Sequence, residues 1–391
     1  MIDAEHRAAQ AWTYIAEGGN QLAHALITAS SYEQALAWVR QYGTGSVLAQ
    51  EFDDVVARLR TSKSFVERTI RAWQLRLEHY SEISEVSLGR LGAQCLIPAD
   101  SCWPGILNDM FAPPLALWIR GDAEVLNKPG IAIVGSRAAS TYGQRLARNL
   151  AYEISESHVV VSGGAFGIDA QVHVGALQHG QATNSRQSTI IVSAGGVDRP
   201  YPASHADLFT QAIAHGAVIS ESALGSAPQR HRFLSRNRII AGLAAGTVVV
   251  EAPMRSGALS TARHAIDCGR PVGACPGQVD SPGSQGSHAL IRDGATLIRH
   301  ADDVREMVSW QQLQLGDGMG EDIFSMPDDG FDPVLEKVWE AIPVRSCADA
   351  QAVARVAGVS VQEAQAKLAL LELTGRVSRS VRGWKRAKIK Q

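Results

Sequence analysis

Residues 131–170 read IAIVGSRAASTYGQRLARNLAYEISESHVVVSGGAFGIDA, and this stretch decides the fold. A run of β-branched and small apolar residues ends in a glycine turn, an amphipathic segment follows, and the same pattern then begins again. Short apolar runs separated by helical segments are typical of parallel strands covered by helices. The stretch therefore predicts two strand–turn–helix units of a parallel sheet.

The same alternation continues as far as residue 299. Helical segments are predicted at residues 142–156, 205–216 and 257–269, and they separate several of the strands. The strands are predicted at residues 131–135, 158–164, 189–196, 217–222, 247–252, 271–277 and 295–299. Because strands that are apolar throughout are buried on both faces, we predict an α/β fold with an extended Rossmann-like parallel sheet over residues 96–310.

The regions that flank the sheet have other patterns. Residues 1–95 show helical spacing of apolar residues and a predicted N-cap at Ser30, with Glu33 three residues later. Segment 97–122 is rich in proline and aromatic residues, which predicts an extended connection. Residues 311–333 hold six acids and no Lys or Arg, which predicts a solvated linker.

Residues 334–391 form a separate C-terminal pattern. Helical segments at 333–342, 349–358 and 360–375 precede an alternating basic segment that suits a short hairpin. Ser360 and Glu363 have the spacing of a capping box. Three helices followed by a hairpin predict a winged-helix domain, and a helical cap with a basic tail is the alternative.

Composition limits the kinds of ligand and environment. The 391 residues carry a formal net charge of -2, so any site for a polyanion must be a local patch. Five cysteines without Cys-x-x-Cys spacing argue against a disulfide framework or a zinc site. The N-terminus lacks an apolar signal core, and no stretch has the length of a membrane span. We expect a cytoplasmic protein that is not bound to a membrane and holds no metal.

Two glycine-containing turns at strand ends predict phosphate binding. Gly135–Arg137 follow the first predicted strand, and Ser162–Gly164 end the second. Backbone N–H groups before a helix attract anions, and an arginine adds a bidentate donor. Ordinary strand-to-helix turns are the alternative. The chain has neither a Walker A motif nor a good dinucleotide fingerprint, so no nucleotide cofactor is predicted.

A basic loop is predicted after the fourth predicted strand. Ser226–Arg238 contains four arginines, one histidine and Phe233, but no acid. Cations that follow a phosphate backbone beside a ring that stacks on a base are typical of single-strand binding. A solvated basic loop with Phe233 in the core is the alternative. Arg199 and Tyr201 add a cation and a ring at another strand end.

Taken together, these motifs resemble the DNA-processing protein A (DprA/Smf) family. IAIVGSR, VSGGAFGIDA, AGGVDRPYP, FLSRNRIIAGLA and VVVEAPMRSGALSTARHA follow the family's order and spacing between residues 95 and 300. The resemblance implies a non-catalytic homodimer that binds single-stranded DNA, protects incoming strands in natural transformation and loads a RecA-type recombinase. The DNA phosphate-binding residues that it implies are Gly135, Ser136, Arg137, Ser162, Gly163, Gly164, Arg199, Phe233, Arg236, Asn237, Arg238, Ser256 and Gly257.

Two other functions stay open at this point. A mononucleotide-processing enzyme of the nucleotide glycosidase type would use Glu221 or Glu251, which each end a predicted strand, as acid or base. Both acids could equally bind Arg236, Arg238 or backbone amides. A duplex-binding regulator would act through the winged helix, although its third helix offers few side chains suited to reading bases.

Overall fold

The computed structural model describes residues 3–44, 50–59, 61–185, 187–315, 338–339, 341–343, 347–373, 377–380 and 383–386. The chain divides into two compact units, Met1–Gly316 and Asp317–Gln391. In the first unit, one hydrophobic core joins the N-terminal helices to the sheet, from Trp12 through Trp118 to Val218. The boundary expected at residues 95 and 96 is therefore not a break in packing.

Helices make up most of the chain before the sheet. They are α1 (Ala4–Ile15), α2 (Gln21–Ala29), α3 (Tyr32–Gln41), α4 (Gln50–Arg58), α5 (Lys63–Glu78) and α6 (Glu85–Leu91). The N-cap predicted at Ser30 is wrong by one residue. Ser31 is extended and its hydroxyl accepts the N–H of Gln34, whereas the hydroxyl of Ser30 donates to the carbonyl of Leu26 and ends α2.

A nine-stranded sheet forms the centre of the first unit, in the order β1-β2-β6-β5-β4-β3-β7-β8-β9. The strands are β1 (Ala93–Leu96), β2 (Leu117–Gly121), β3 (Gly130–Val134), β4 (Val159–Ser162), β5 (Thr189–Val192), β6 (Gly216–Ser220), β7 (Gly246–Val249), β8 (Val272–Ala274) and β9 (Thr296–Leu297). Strands β3 to β9 pair in parallel, which confirms the predicted parallel sheet and all seven predicted strands.

Strands β1 and β2 were not predicted. They pair antiparallel with each other, and β2 pairs antiparallel with β6. The prolines at 113 and 114 obscured β2, because proline cannot donate to a strand ladder, yet the strand begins only at Leu117. Trp118 of β2 donates its indole N–H to Thr13 of α1 at 2.9 Å. The segment expected to be a connection therefore adds an edge to the sheet and holds the N-terminal helices.

Helices cover both faces of the parallel strands. They are α7 (Thr141–Ile154), α8 (Ile168–Thr183), α9 (Ala206–Ala214), α10 (Arg230–Gly242), α11 (Gly257–Asp267), α12 (Gln285–Arg292) and α13 (Ala301–Leu315). Alternate residues of β3 enter different cores. Ala132 and Val134 pack with α10 and α11, while Ile131 and Ile133 pack with α7 and α8. Helix α13 also takes up the first five residues of the expected linker.

The second unit follows the predicted order where it is described. It contains α14 (Ala350–Ala357), α15 (Val361–Leu373) and the antiparallel pair β10 (Val377–Ser380) and β11 (Gly383–Arg386). The capping box is confirmed: Ser360 N–H donates to the Glu363 carboxylate at 3.0 Å, and Glu363 N–H donates to the Ser360 hydroxyl at 3.2 Å. Most of the first predicted helix and linker residues 316–333 lie outside the described residues, so the winged helix stays a prediction. In the described part of the chain, no helix is both long and apolar enough to cross a membrane.

Candidate nucleic-acid interface

A cavity of about 690 Å³ lies at the carboxyl ends of the parallel strands. We call it the switch-point pocket, because β3 pairs with β4 on one side and with β7 on the other, so the strand order reverses there. Ligands of open parallel sheets bind at such a point. The predicted residues that line the pocket are Gly135, Ser136, Arg137, Phe233, Arg236, Asn237, Ser256 and Gly257.

The turn after β3 is held by two neighbouring elements. The N–H of Ser136 donates to the carbonyl of Glu251 at 2.7 Å, and the carbonyl of Ser136 accepts the N–H of Ile168 at 3.1 Å. Gly167 has a φ of +76°, and a Cβ at this residue would lie 2.6 Å from the carbonyl oxygen of Arg137. Only glycine fits there. Because the Ser136 amide is already bonded, the exposed side chain of Arg137 is the main donor that this turn offers to the pocket.

Phe233 is the centre of an aromatic and cationic group in the pocket. The guanidinium carbon of Arg137 lies 4.7 Å from the centroid of the Phe233 ring, and that of Arg236 lies 5.9 Å from it. The ring of Tyr201 meets Phe233 edge-on, with 5.6 Å between the centroids. Both arginines are within the range of a cation–π interaction. Arg137 and Arg236 therefore lie beside the half-buried ring of Phe233. The contacts with Arg137 and Tyr201 help to orient this ring.

Arg236 places a buried charge at the base of the pocket. Its Nη1 donates to the carbonyls of Gly163 at 2.8 Å and Val192 at 2.6 Å. Burial lowers the pKa of the Arg236 guanidinium to about 10, and the nearby Asp169 opposes this change. Burial raises the pKa of the Asp169 carboxyl, against the charges of Arg236 and Arg137. Arg236 thus remains a cation at neutral pH.

The basic segment is mostly helical, and the prediction of a loop is wrong. Helix α10 begins at Arg230, so only residues 226–229 precede it as a loop. Arginine and leucine favour helix, and the single proline, Pro228, lies before the first turn. Successive helical residues are about 100° apart around the axis. Phe233, Arg236 and Asn237 consequently share the face towards the pocket.

The helical geometry directs Arg238 away from the pocket. Its guanidinium donates to both carboxylate oxygens of Glu221 and to the carbonyl of Ala112. The side chains of Arg238 and Glu221 are 11% and 10% exposed. Arg238 therefore forms a buried ion pair on the other side of α10. It does not face the pocket, as a phosphate ligand would.

The other predicted residues outside the lining have structural neighbours or lie at the surface. The buried Ser162 hydroxyl donates to the carbonyl of Ile133 at 2.7 Å. A Cβ on Gly163 would lie 2.6 Å from the guanidinium carbon of Arg236, and one on Gly164 would meet Ile191 and Phe209. Arg199 is exposed and does not line the pocket. Gly163 and Gly164 therefore allow neighbouring side chains to pack closely behind the pocket.

The two acids considered for catalysis also lie outside the pocket lining. Glu251 accepts the N–H of Ser140 at 2.9 Å and the hydroxyl of the same residue. Glu221 pairs with Arg238 and accepts the N–H of Gly19 at 3.4 Å. Both carboxylates therefore bind arginine or backbone donors of the protein, which was the alternative to a catalytic role. The arrangement does not favour an acid–base pair on a nucleotide in this pocket.

Two cations of the pocket were not singled out from the sequence. Arg230 and Arg255 line it together with Arg137 and Arg236, and Asp169 is the one acid among the described lining residues. The sequence did contain a signal for Arg255. This residue lies between β7 and α11, just before Ser256 and Gly257, in the same way as Arg137 lies between β3 and α7. The pocket therefore carries a local positive charge in a chain of slightly negative net charge.

The model of the family described as DNA recombination-mediator protein A matches residues 94–309. The chain belongs to this family. Protein Smf of Escherichia coli is 37% identical over 289 residues, 72% of this chain and 74% of the relative. DNA processing protein DprA of Streptococcus pneumoniae is 38% identical over 205 residues, 52% and 71% of the two chains. The X-ray structure of that DprA is 31% identical with a TM-score of 0.56, and the match covers 72% of this chain and 95% of the other.

The match to the recombination-mediator family covers the whole switch-point pocket. All of its lining residues, from Val134 to Thr261, lie between residues 94 and 309. Helices α1 to α6 and the second unit lie outside the matched residues. The pocket therefore lies wholly in the part of the chain that matches the DNA recombination-mediator family.

Proposed function

We propose that the chain binds single-stranded DNA without sequence preference and passes it to a RecA-type recombinase. One observation carries the proposal: four arginines and the oriented ring of Phe233 share one pocket at the switch point of the sheet. Cations follow a phosphate backbone of any sequence, and every base has a face that can stack on a ring. Membership of the recombination-mediator family supports the same function.

The roles of the pocket residues follow from their exposure. Arg137 is exposed and offers a bidentate donor to a phosphate oxygen. Arg236 is buried and supplies a fixed positive charge beneath it. Ser256 caps α11, and the helix N-terminus at Gly257 favours an anion nearby. Phe233 is the ring on which a base would stack.

We extend the proposal to the cellular role that the family suggests. The chain would protect incoming single strands during natural transformation, act in the cytoplasm as a homodimer and perform no chemical step of its own. The relatives named DNA processing protein DprA support this role. A strand-exchange assay with a RecA-type recombinase and single strands coated by a single-strand binding protein would measure the loading step.

Fluorescence anisotropy with labelled oligo-dT and a matched duplex, over a series of salt concentrations, tests the binding proposal. We expect Arg137→Ala to lower single-strand affinity about tenfold or more and the salt slope by about 0.7, because one phosphate contact is lost. Arg292→Ala on α12 removes the same charge from an exposed side chain outside the pocket and should change neither. Equal affinities of the two variants, or release of free base from a nucleotide, would contradict the proposal.

A further inference from the structure

A second groove with cations and an aromatic ring lies on the N-terminal helices. It has a volume of about 360 Å³ and is lined along α5 by Phe65, Arg68, Thr69, Ala72, Trp73 and Arg76, and opposite them by Glu17 and Asn20. We call it the α5 groove. Its α5 residues follow helical spacing and form one stripe. The groove lies outside the residues matched by the family model.

The exposed groups of the α5 groove suit a polynucleotide. The ring of Phe65 is 44% exposed, and Arg68 is exposed one turn further along the helix. Arg68 donates its Nε–H to the carbonyl of Ser64 at 3.2 Å, and no carboxylate of the described residues forms an ion pair with it. Trp73 closes the floor and packs edge-on against Trp12 with 5.2 Å between the centroids. The groove thus has an exposed ring and an exposed cation beside the buried Trp73.

Glu17, the one acid among the described residues of the groove, is already neutralised. Arg232 of α10 donates from Nε and Nη2 to the two carboxylate oxygens of Glu17, both at 3.1 Å. Arg76 lies 3.6 Å and His231 3.4 Å from the same carboxylate. Burial raises the pKa of the Glu17 carboxyl, but the bond and charge of Arg232 outweigh it, so the pKa is lowered and the pair stays ionised. Because these cations balance its charge, Glu17 does not repel a phosphate from the groove.

Helix α10 links the α5 groove to the switch-point pocket. Arg230 and Phe233 line the pocket, while Arg232, the residue before Phe233, binds Glu17 of the groove. The two sites thus lie on adjoining sides of one helix, whose diameter with side chains is about 10–12 Å.

We infer that single-stranded DNA bound in the switch-point pocket continues over α10 into the α5 groove, where Arg68 contacts a phosphate and Phe65 stacks on a base. This inference rests on the proposed function, because it needs DNA in the pocket. It assigns the N-terminal helices a direct part in binding and makes affinity depend on strand length. The exposed cation and ring of the groove, and its link to the pocket through α10, favour this occupant.

Anisotropy of the full chain with two lengths of oligo-dT, about 8 and about 25 nucleotides, tests the inference. We expect Arg68→Ala and Phe65→Ala to lower affinity for the long strand about fivefold or more and to leave the short strand unchanged, because only the long strand reaches the groove. Arg71→Ala removes an exposed cation from the same helix outside the groove, and should leave both unchanged. Thermal unfolding of each variant checks the fold.

Two results separate the failure of this inference from that of the proposed function. If Arg68→Ala matches Arg71→Ala on the long strand while Arg137→Ala weakens both lengths, the groove does not bind DNA and the pocket does. If Arg137→Ala also has no effect, the proposed function fails. Photo-cross-linking of a long strand carrying iododeoxyuridine gives an independent readout: cross-links to the α5 peptide support the inference, and cross-links confined to pocket peptides overturn it.

Discussion

The guanidinium of Arg137 lies over the ring of Phe233, with 4.7 Å between the guanidinium carbon and the ring centroid. This contact joins the turn after β3 to helix α10, two segments about a hundred residues apart in sequence. A cation over an aromatic face is attracted by the electrons of the ring. Each side chain therefore helps to hold the other in the pocket.

Phe233→Ala should weaken single-strand binding about 5- to 150-fold, because stacking on one base contributes about 1–3 kcal/mol. The salt slope should change little, since no phosphate contact is removed. Anisotropy with oligo-dT at several salt concentrations measures both quantities. Phe111→Ala is the matched control, because that ring is 89% exposed and lies outside the pocket. A Phe233→Ala affinity equal to the control would show that the ring does not stack on DNA.

Gly163→Ala should destabilise the fold and weaken DNA binding together. The new Cβ would lie 2.6 Å from the guanidinium carbon of Arg236, which is buried and bonded on two sides. Overpacking of this kind costs about 1–3 kcal/mol. Gly257→Ala is the control for stability, because the nearest atom to its Cβ is the Asn237 side-chain nitrogen at 3.8 Å. Urea unfolding compares the two, and equal stabilities would contradict the packing argument.

Arg238→Met should lower the free energy of unfolding by about 3–5 kcal/mol, because it leaves the buried carboxylate of Glu221 without its partner. The double variant Arg238→Met/Glu221→Leu should recover part of this loss, since no buried charge remains. Chemical unfolding measures each value. If Arg238→Met keeps full stability but loses DNA affinity, Arg238 contacts DNA directly, as first expected from the sequence.

The contribution of His6 to stability should fall as the pH rises through its titration. The Nδ1 of His6 lies 2.8 Å from Asp3 and its Nε2 lies 3.1 Å from Asp100. Burial lowers the pKa of His6, but these two carboxylates outweigh it and the pKa is raised above 6.5. The contribution is therefore complete below the unfolded pKa of about 6.5 and is lost as the pH rises through the folded value. Urea unfolding between about pH 6 and 8 should show that the difference in unfolding free energy between the wild type and His6→Gln shrinks as the pH rises.

A chain that ends at residue 333 should retain single-strand affinity close to that of the full chain. The pocket and the α5 groove both lie in the unit Met1–Gly316, which has its own hydrophobic cores. Anisotropy on oligo-dT and on duplex measures the effect. A loss confined to duplex would assign duplex binding to the second unit, and a large loss on single strands would place the primary site there.

Several features followed from the sequence because they depend on neighbours along the chain. The apolar runs at residues 131–135 and 247–252 identified strands, since a fully buried strand needs an unbroken apolar stretch. Ser360 and Glu363 identified a helix start, because a capping box satisfies its own backbone donors. The glycine turn at Gly135 also depends on residues close in sequence, and it correctly predicted one side of the pocket.

Other features depended on partners far along the chain, and only the tertiary structure decided them. Arg236 and Arg238 belong to the same basic segment, but one lies in the pocket and the other pairs with Glu221, because the helix turns them to opposite sides. The strand at Leu117–Gly121 formed through pairing with β6, about a hundred residues later. Sequence alone thus determined the parallel sheet and the presence of a cationic, aromatic segment. Packing decided which of its side chains face a ligand, since orientation depends on contacts that sequence spacing does not record.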